Sequence, residues 1–148
     1  MLILLDRMKY EDILKIIVDR YKEILKENLA NIYVHGPITP NCFDFDKDNI
    51  DFIVVIKEQI SINQKKELIE LLLDLNQFAP KKGFEMNVVL LENTQNFKNS
   101  TPFELHFSND DIINYRKNPT KYLEVMYGKG ENLSLSFGLN YNSYIKIF

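Results

Sequence analysis

Apolar residues at Ile13, Ile16, Ile17, Tyr21, Ile24 and Leu25 recur at steps of three and four. That period predicts an amphipathic helix from Tyr10 to about Asn28 with a charged outer face. The period breaks at Asn28–Asn31, and residues 31–36 read as a buried strand from which Gly36 permits a tight exit. A polar, turn-rich loop follows, carrying Pro37, Pro40 and Asn41. Residues 50–56, IDFIVVI, are β-branched and almost continuously apolar, the pattern of a central strand buried on both faces. Ser61 with Gln64 three residues on forms a capping box. The helix it opens runs to about Phe78, with Leu68, Leu72 and Leu75 inward, and Pro80 and Gly83 end it. Residues 84–91, FEMNVVLL, predict a third strand with Glu85 and Asn87 on one face and Met86, Val88 and Leu90 on the other. Phe103 to Phe107 fits a short fourth strand. Ser108 and Asp111 cap a helix that stops before Pro119, and Thr120 to Tyr127 adds a further turn or two.

This order of elements predicts an α/β (α+β) fold, a mixed sheet flanked by helices in a single domain. The domain is assigned to residues 1–129. The Asn-, Ser- and Tyr-rich stretch 130–148 has no helical period and is assigned as a tail that forms an edge strand or an interface, a homodimer contact among the options. A chain of 148 residues can bury a core of its own. A net charge of −3 supplies no basic footprint, so nucleic acid is not an expected partner. The single cysteine, Cys42, excludes an internal disulfide and suits a reducing compartment. The N-terminal MLILLDRMKY is too short for a secretory h-region and lacks a basic lead, and no run approaches the roughly 20 apolar residues of a membrane span. A cytoplasmic protein without membrane contact is the expectation, and the Asn/Ile/Lys bias points to a low-GC bacterium or its phage.

Candidate chemistry centres on the second strand. Residues i and i+2 of a strand share a face, so Asn49 and Asp51 form a pair straddling Ile50, with Glu85 on the next strand. Carboxylates so placed can hold divalent cations against a triphosphate and provide a base for an attacking hydroxyl. Spacing alone would favour plain strand-end residues. An acid inside an otherwise apolar strand tips the balance, because an unpaired buried charge is costly. The triplet Asp44, Asp46, Asp48 is not a calcium loop: the positions that need Gly and Glu hold Asn49 and Val55. These aspartates are expected to shape a turn. His35 and Cys42 stand alone in the sequence and are expected to be a strand-end histidine and a packed cysteine.

Gly36-Pro37, a loop, Asn49-Ile50-Asp51-Phe52 and then Glu85 resemble the nucleotidyltransferase superfamily motif of Gly-Ser followed by acid-hydrophobic-acid. HGPITPNCFDFDKDNIDFIVVI, KGFEMNVVLL and TPFELHFSNDDI are similar, in order, to three segments of the bacterial aminoglycoside adenylyltransferases that act on streptomycin or spectinomycin. The likeness covers roughly residues 10 to 118. It implies ATP and Mg²⁺ as cofactors, Gly36 and Pro37 at the nucleotide, Asp51 and Asn49 at the metal, and Glu85 as catalytic base. An aminoglycoside or a protein would be the other partner. Two positions depart from that pattern: Asn49 replaces a carboxylate, and Pro37 replaces a serine and lacks a backbone N–H. The family's helical C-terminal domain also has no counterpart before Phe148. The expectation is an adenylyltransferase relative that is catalytically weak or inactive, a pseudoenzyme from an antibiotic-resistance lineage. The alternatives are an active, antitoxin-like nucleotidyltransferase that modifies a protein or small-molecule hydroxyl, and a non-enzymatic interaction module.

Overall fold

The computed structural model describes residues 8–36, 42–94, 101–130 and 144–148. Helix α1, Tyr10–Leu25, buries Tyr10, Ile13, Ile17, Tyr21 and Leu25, the stripe its spacing dictates. It stops a turn earlier than expected because Lys26 takes a positive φ of 53° and Lys26–Asn28 tightens into a 3₁₀ turn. Strands β1, Leu29–His35, and β2, Ile50–Ile56, follow. Helix α2 spans Ile62–Leu75, with the capping box formed as expected: Gln64 N–H donates to Ser61 Oγ at 3.1 Å and Ser61 N–H to Gln64 Oε1 at 3.2 Å. Strand β3, Phe84–Leu90, leads into the single turn α3, Leu91–Thr94.

The fourth strand expected over residues 103–107 is instead two. Strand β4, Thr101–Phe103, and strand β5, Leu105–Ser108, part at a bend on Glu104, whose N–H stays bonded to Val88 O at 2.7 Å. Helices α4, Ile112–Lys117, and α5, Pro119–Val125, precede β6, Gly128–Gly130, and the last strand is β7, Tyr144–Lys146. The main sheet has the order β5-β3-β2-β1-β7, and β4 pairs with β6 apart from it. β2 and β3 are parallel, joined through α2; β1 with β2, β3 with β5 and β1 with β7 are antiparallel.

The period-2 rule divides the central strands between two layers. Phe52, Val54 and Ile56 of β2 and Met86 and Val88 of β3 pack with α1 and α2 in the principal core. Ile53, Val55 and Val89 form a smaller cluster on the opposite face, with Tyr33, Leu91, Phe103 and Tyr144 against it. Two apolar layers explain the nearly unbroken apolar run of β2. Fully burying an Ile, Val or Phe side chain is worth about 1.5–3 kcal/mol, so any slip of register is heavily penalised.

Two contacts set the frame around the start of β2. The buried Tyr21 hydroxyl donates to Leu68 O at 2.8 Å, tying α1 to α2, and burial pushes its ionisation far up. Gly83 has φ +72°, and a Cβ there would lie 2.9 Å from the Asn109 side chain. Only glycine fits both demands. Its carbonyl accepts the Ile50 N–H at 3.0 Å, which locks the first residue of β2 to the lead-in of β3.

Candidate active site

Asp51 and Glu85 are register partners on the parallel strands β2 and β3, and His35, at the end of β1, is the partner of Asp51 on its other side. Gly36 follows His35 directly, so the end of β1 and the starts of β2 and β3 converge on one edge of the sheet. Alternation puts Asp51 and Glu85 on the face of the smaller apolar cluster, away from the helices of the principal core. The structure thus brings together two of the residues singled out from the sequence. Asn49 is half-buried and sits one residue ahead of the paired part of β2. Pro37 lies outside the described residues.

The electrostatics of Asp51 are unusual. Burial, with the Glu85 carboxylate beside it as the second cause, pushes its ionisation from 3.8 up to about 7, while a hydrogen bond from Tyr144 works the other way. Tyr144 Oη donates to Asp51 Oδ2 at 3.4 Å, and Asp51 Oδ1 is buried with no hydrogen-bond partner among the described residues. An orphaned carboxylate oxygen beside a second carboxylate is an expensive arrangement unless a cation resolves it.

That orphan oxygen tests whether Mg²⁺ fits. Among the described residues no group of three or more His, Cys, Asp or Glu side chains is arranged to hold a metal. The carboxylate donors are therefore the pair Asp51 and Glu85. Mg²⁺ is ordinarily held by one or two carboxylates plus substrate phosphates, so the pair fits a cation that arrives with a triphosphate and is too sparse for a cage of its own.

The loop before β2 serves as scaffold. Asp44 Oδ1 accepts the Asp46 N–H and Asp48 Oδ2 accepts the Asp44 N–H, both at 2.8 Å, and Phe43 stacks on Tyr10 at 4.2 Å. Asp48 is thereby committed to its own turn. Cys42 is exposed rather than packed.

Two neighbours of the acidic pair were not legible as such in the sequence. Tyr144 comes from the tail, 93 residues from the aspartate it touches, and its ring lies 5.0 Å from that of His35. His35, solitary in the sequence, is the strand neighbour of both Asp51 and Tyr144. One row further along the same face the buried Asn87 shares a 2.8 Å hydrogen bond with His106 Nδ1, and His106 Nε2 lies 3.8 Å from Asp111. The alternation of FEMNVVLL put Asn87 on the face of Glu85, but nothing local indicated its partner. A cleft of about 630 Å³ lined by Ile60, Lys65, Phe103, Glu104 and Tyr127 opens beyond the far end of β2 and does not include the acidic pair.

The five-stranded mixed sheet flanked by helices is a nucleotidyltransferase-like fold. It is similar to spectinomycin adenyltransferase AAD(9) from Enterococcus faecialis, solved with ATP and spectinomycin, at a TM-score of 0.74 and 17% identity. The match covers 95% of this chain and 56% of that one. No family model matches the sequence, and neither does any curated protein. Among the described residues no helix is long and apolar enough to cross a membrane.

Proposed function

We propose that this protein is a relative of the aminoglycoside adenylyltransferases that binds a magnesium–nucleoside triphosphate at Asp51 and Glu85 and turns over weakly or not at all. The observation that supports the reading is the in-register acidic pair with its unsatisfied oxygen. The adenyltransferase neighbour, solved with ATP, supports the choice of nucleotide.

In this reading Asp51 and Glu85 would hold the cation, which would supply charge neutralisation for the triphosphate. Gly36 presents backbone without a side chain where phosphate must come close. Glu85 takes the proton of an acceptor hydroxyl. Asn49 offers a neutral carbonyl where a third carboxylate would strengthen the cation site, and Pro37 has no N–H to give a phosphate oxygen. Losing one preorganised transition-state contact costs on the order of 3–4 kcal/mol, or 10²–10³ in rate, and two positions are affected.

Calorimetry with ATP in the presence and absence of Mg²⁺ tests the binding half of the reading, the expected result being heat only with both. A transfer assay with streptomycin and spectinomycin tests the other half. Efficient adenylylation of either drug would overturn the assignment of weak turnover, and absence of any magnesium-dependent nucleotide binding would overturn the site.

A further inference from the structure

Tyr144 is delivered to the acidic pair by regular structure. β7 pairs with β1 through Tyr33–Lys146, Val34–Ile145 and His35–Tyr144. Past the strand, Ile147 N–H donates to Ile32 O at 2.9 Å and Ile32 N–H to Phe148 O at 3.0 Å. The ring of Tyr144 packs on the smaller apolar cluster and against His35, so ring and backbone are both held. Its phenolic hydroxyl lies 3.4 Å from Asp51 Oδ2, on the face that carries Glu85.

We propose that Tyr144 is the acceptor of an intramolecular nucleotidyl transfer, so that the protein modifies its own tyrosine. This rests on the reading of Asp51 and Glu85 as a magnesium–nucleotide site. With a magnesium–nucleotide held at Asp51 and Glu85, a hydroxyl fixed against Asp51 would be close to the phosphates and ready to attack. In the transfer, Tyr144 Oη forms a bond to the α-phosphorus of a nucleoside triphosphate. The bond from that phosphorus to the α–β bridging oxygen breaks, and pyrophosphate leaves. The phenolic proton passes to Asp51 Oδ2, the oxygen it already faces, which would serve this tethered acceptor as Glu85 would serve a free one.

The proposal also reconciles the placement of Tyr144 with a site poor in charge. A well-oriented intramolecular nucleophile reaches effective molarities of about 10⁵–10⁸ M. Each departure at Asn49 and Pro37 forfeits a factor of about 10²–10³. Positioning of that size offsets such losses for one event in cis, whereas a free acceptor gains no such advantage. The product places a phosphodiester beside Glu85, where it obstructs the next nucleotide, so a single modification per chain is expected.

The full chain is purified, incubated with ATP and Mg²⁺, and followed by intact-mass and peptide mass spectrometry. The expected result is a gain of one adenylyl group on Tyr144, at a rate independent of protein concentration, and its loss in Tyr144→Phe. A second readout needs neither metal nor nucleotide: with ¹³C-labelled tyrosine, Asp51→Asn shifts the Tyr144 ring resonance. An unmoved resonance shows that the phenol does not face Asp51 and overturns the proposal. Magnesium-dependent ATP binding by calorimetry without any adduct on Tyr144 overturns it too, while sparing the nucleotide site. If Tyr144→Phe then binds ATP and Mg²⁺ more tightly than the parent, the tyrosine is a plug and not an acceptor. Absence of binding as well as adduct defeats both readings together.

Discussion

Asp51 lies directly opposite Glu85 in the parallel register of β2 and β3, and one of its two oxygens has no partner among the described residues. Two carboxylates at one register position oppose each other's charge, and a sheet tolerates that only at a cost in stability. The pair therefore makes definite predictions about pH and about cations.

The first concerns stability against pH without metal. Asp51 ionises near 3.8 when unfolded and at about 7 when folded. The folded state thus holds the proton more tightly, and this contribution is complete below pH 3.8 and lost as pH rises through about 7. Urea unfolding of the metal-free protein should show up to about 2–3 kcal/mol less stability at pH 8 than at pH 5 from this group. Asp51→Asn should flatten that slope; an equally steep slope in the variant would remove Asp51 as its source.

Magnesium should act mainly in company with nucleotide. Two carboxylates leave most of the octahedral shell to water and phosphate, so Mg²⁺ alone is expected to raise the melting temperature little and Mg²⁺ with ATP more. At 100 times the dissociation constant the linked stabilisation is about 2.7 kcal/mol. It should grow from pH 6 to pH 8 as Asp51 gives up its proton, and disappear in Glu85→Gln or with a chelator. Thermal scans at matched ionic strength check all three, and a pH-independent shift would contradict the assignment of Asp51.

Restoring charge at the two divergent positions should strengthen the site. Asn49→Asp combined with Pro37→Ser supplies a carboxylate and a backbone N–H, and calorimetry should show tighter magnesium-dependent ATP binding. Any transferase rate should rise by on the order of 10²-fold or more. No change in affinity would place residue 49 outside the cation's reach.

Gly83→Ala probes the frame that aligns the acids. The positive φ and the Asn109 side chain 2.9 Å from the would-be Cβ leave an alanine no unstrained position. A loss of about 1–3 kcal/mol in urea unfolding is expected. Asn109→Gly should recover the steric part and leave the backbone part. Wild-type stability in Gly83→Ala would mean that the turn relaxes freely.

How far the site was legible in the sequence differs residue by residue. The span of β2 and the faces of Glu85 and Asn87 followed from alternation, since side chains on a strand have no choice but to alternate. The capping box at Ser61 was legible because it is closed by residues three apart. The single strand expected at 103–107 failed because FELHF alternates apolar and polar residues without a break, and only the pairing of β4 with β6 and of β5 with β3 divides it. His35 looked solitary because a strand's neighbours are chosen by register.

The sequence by itself determined the periods: which residues are helical, which alternate, and that an acid stands inside an apolar strand. Those are consequences of bond geometry and of burial acting over a few residues. Tertiary structure alone decided that Asp51 meets Glu85, and that Tyr144 arrives from 93 residues away to face the same carboxylate. Contacts of that kind depend on strand order and register, which are set by the packing of the whole core and leave no mark on the local pattern.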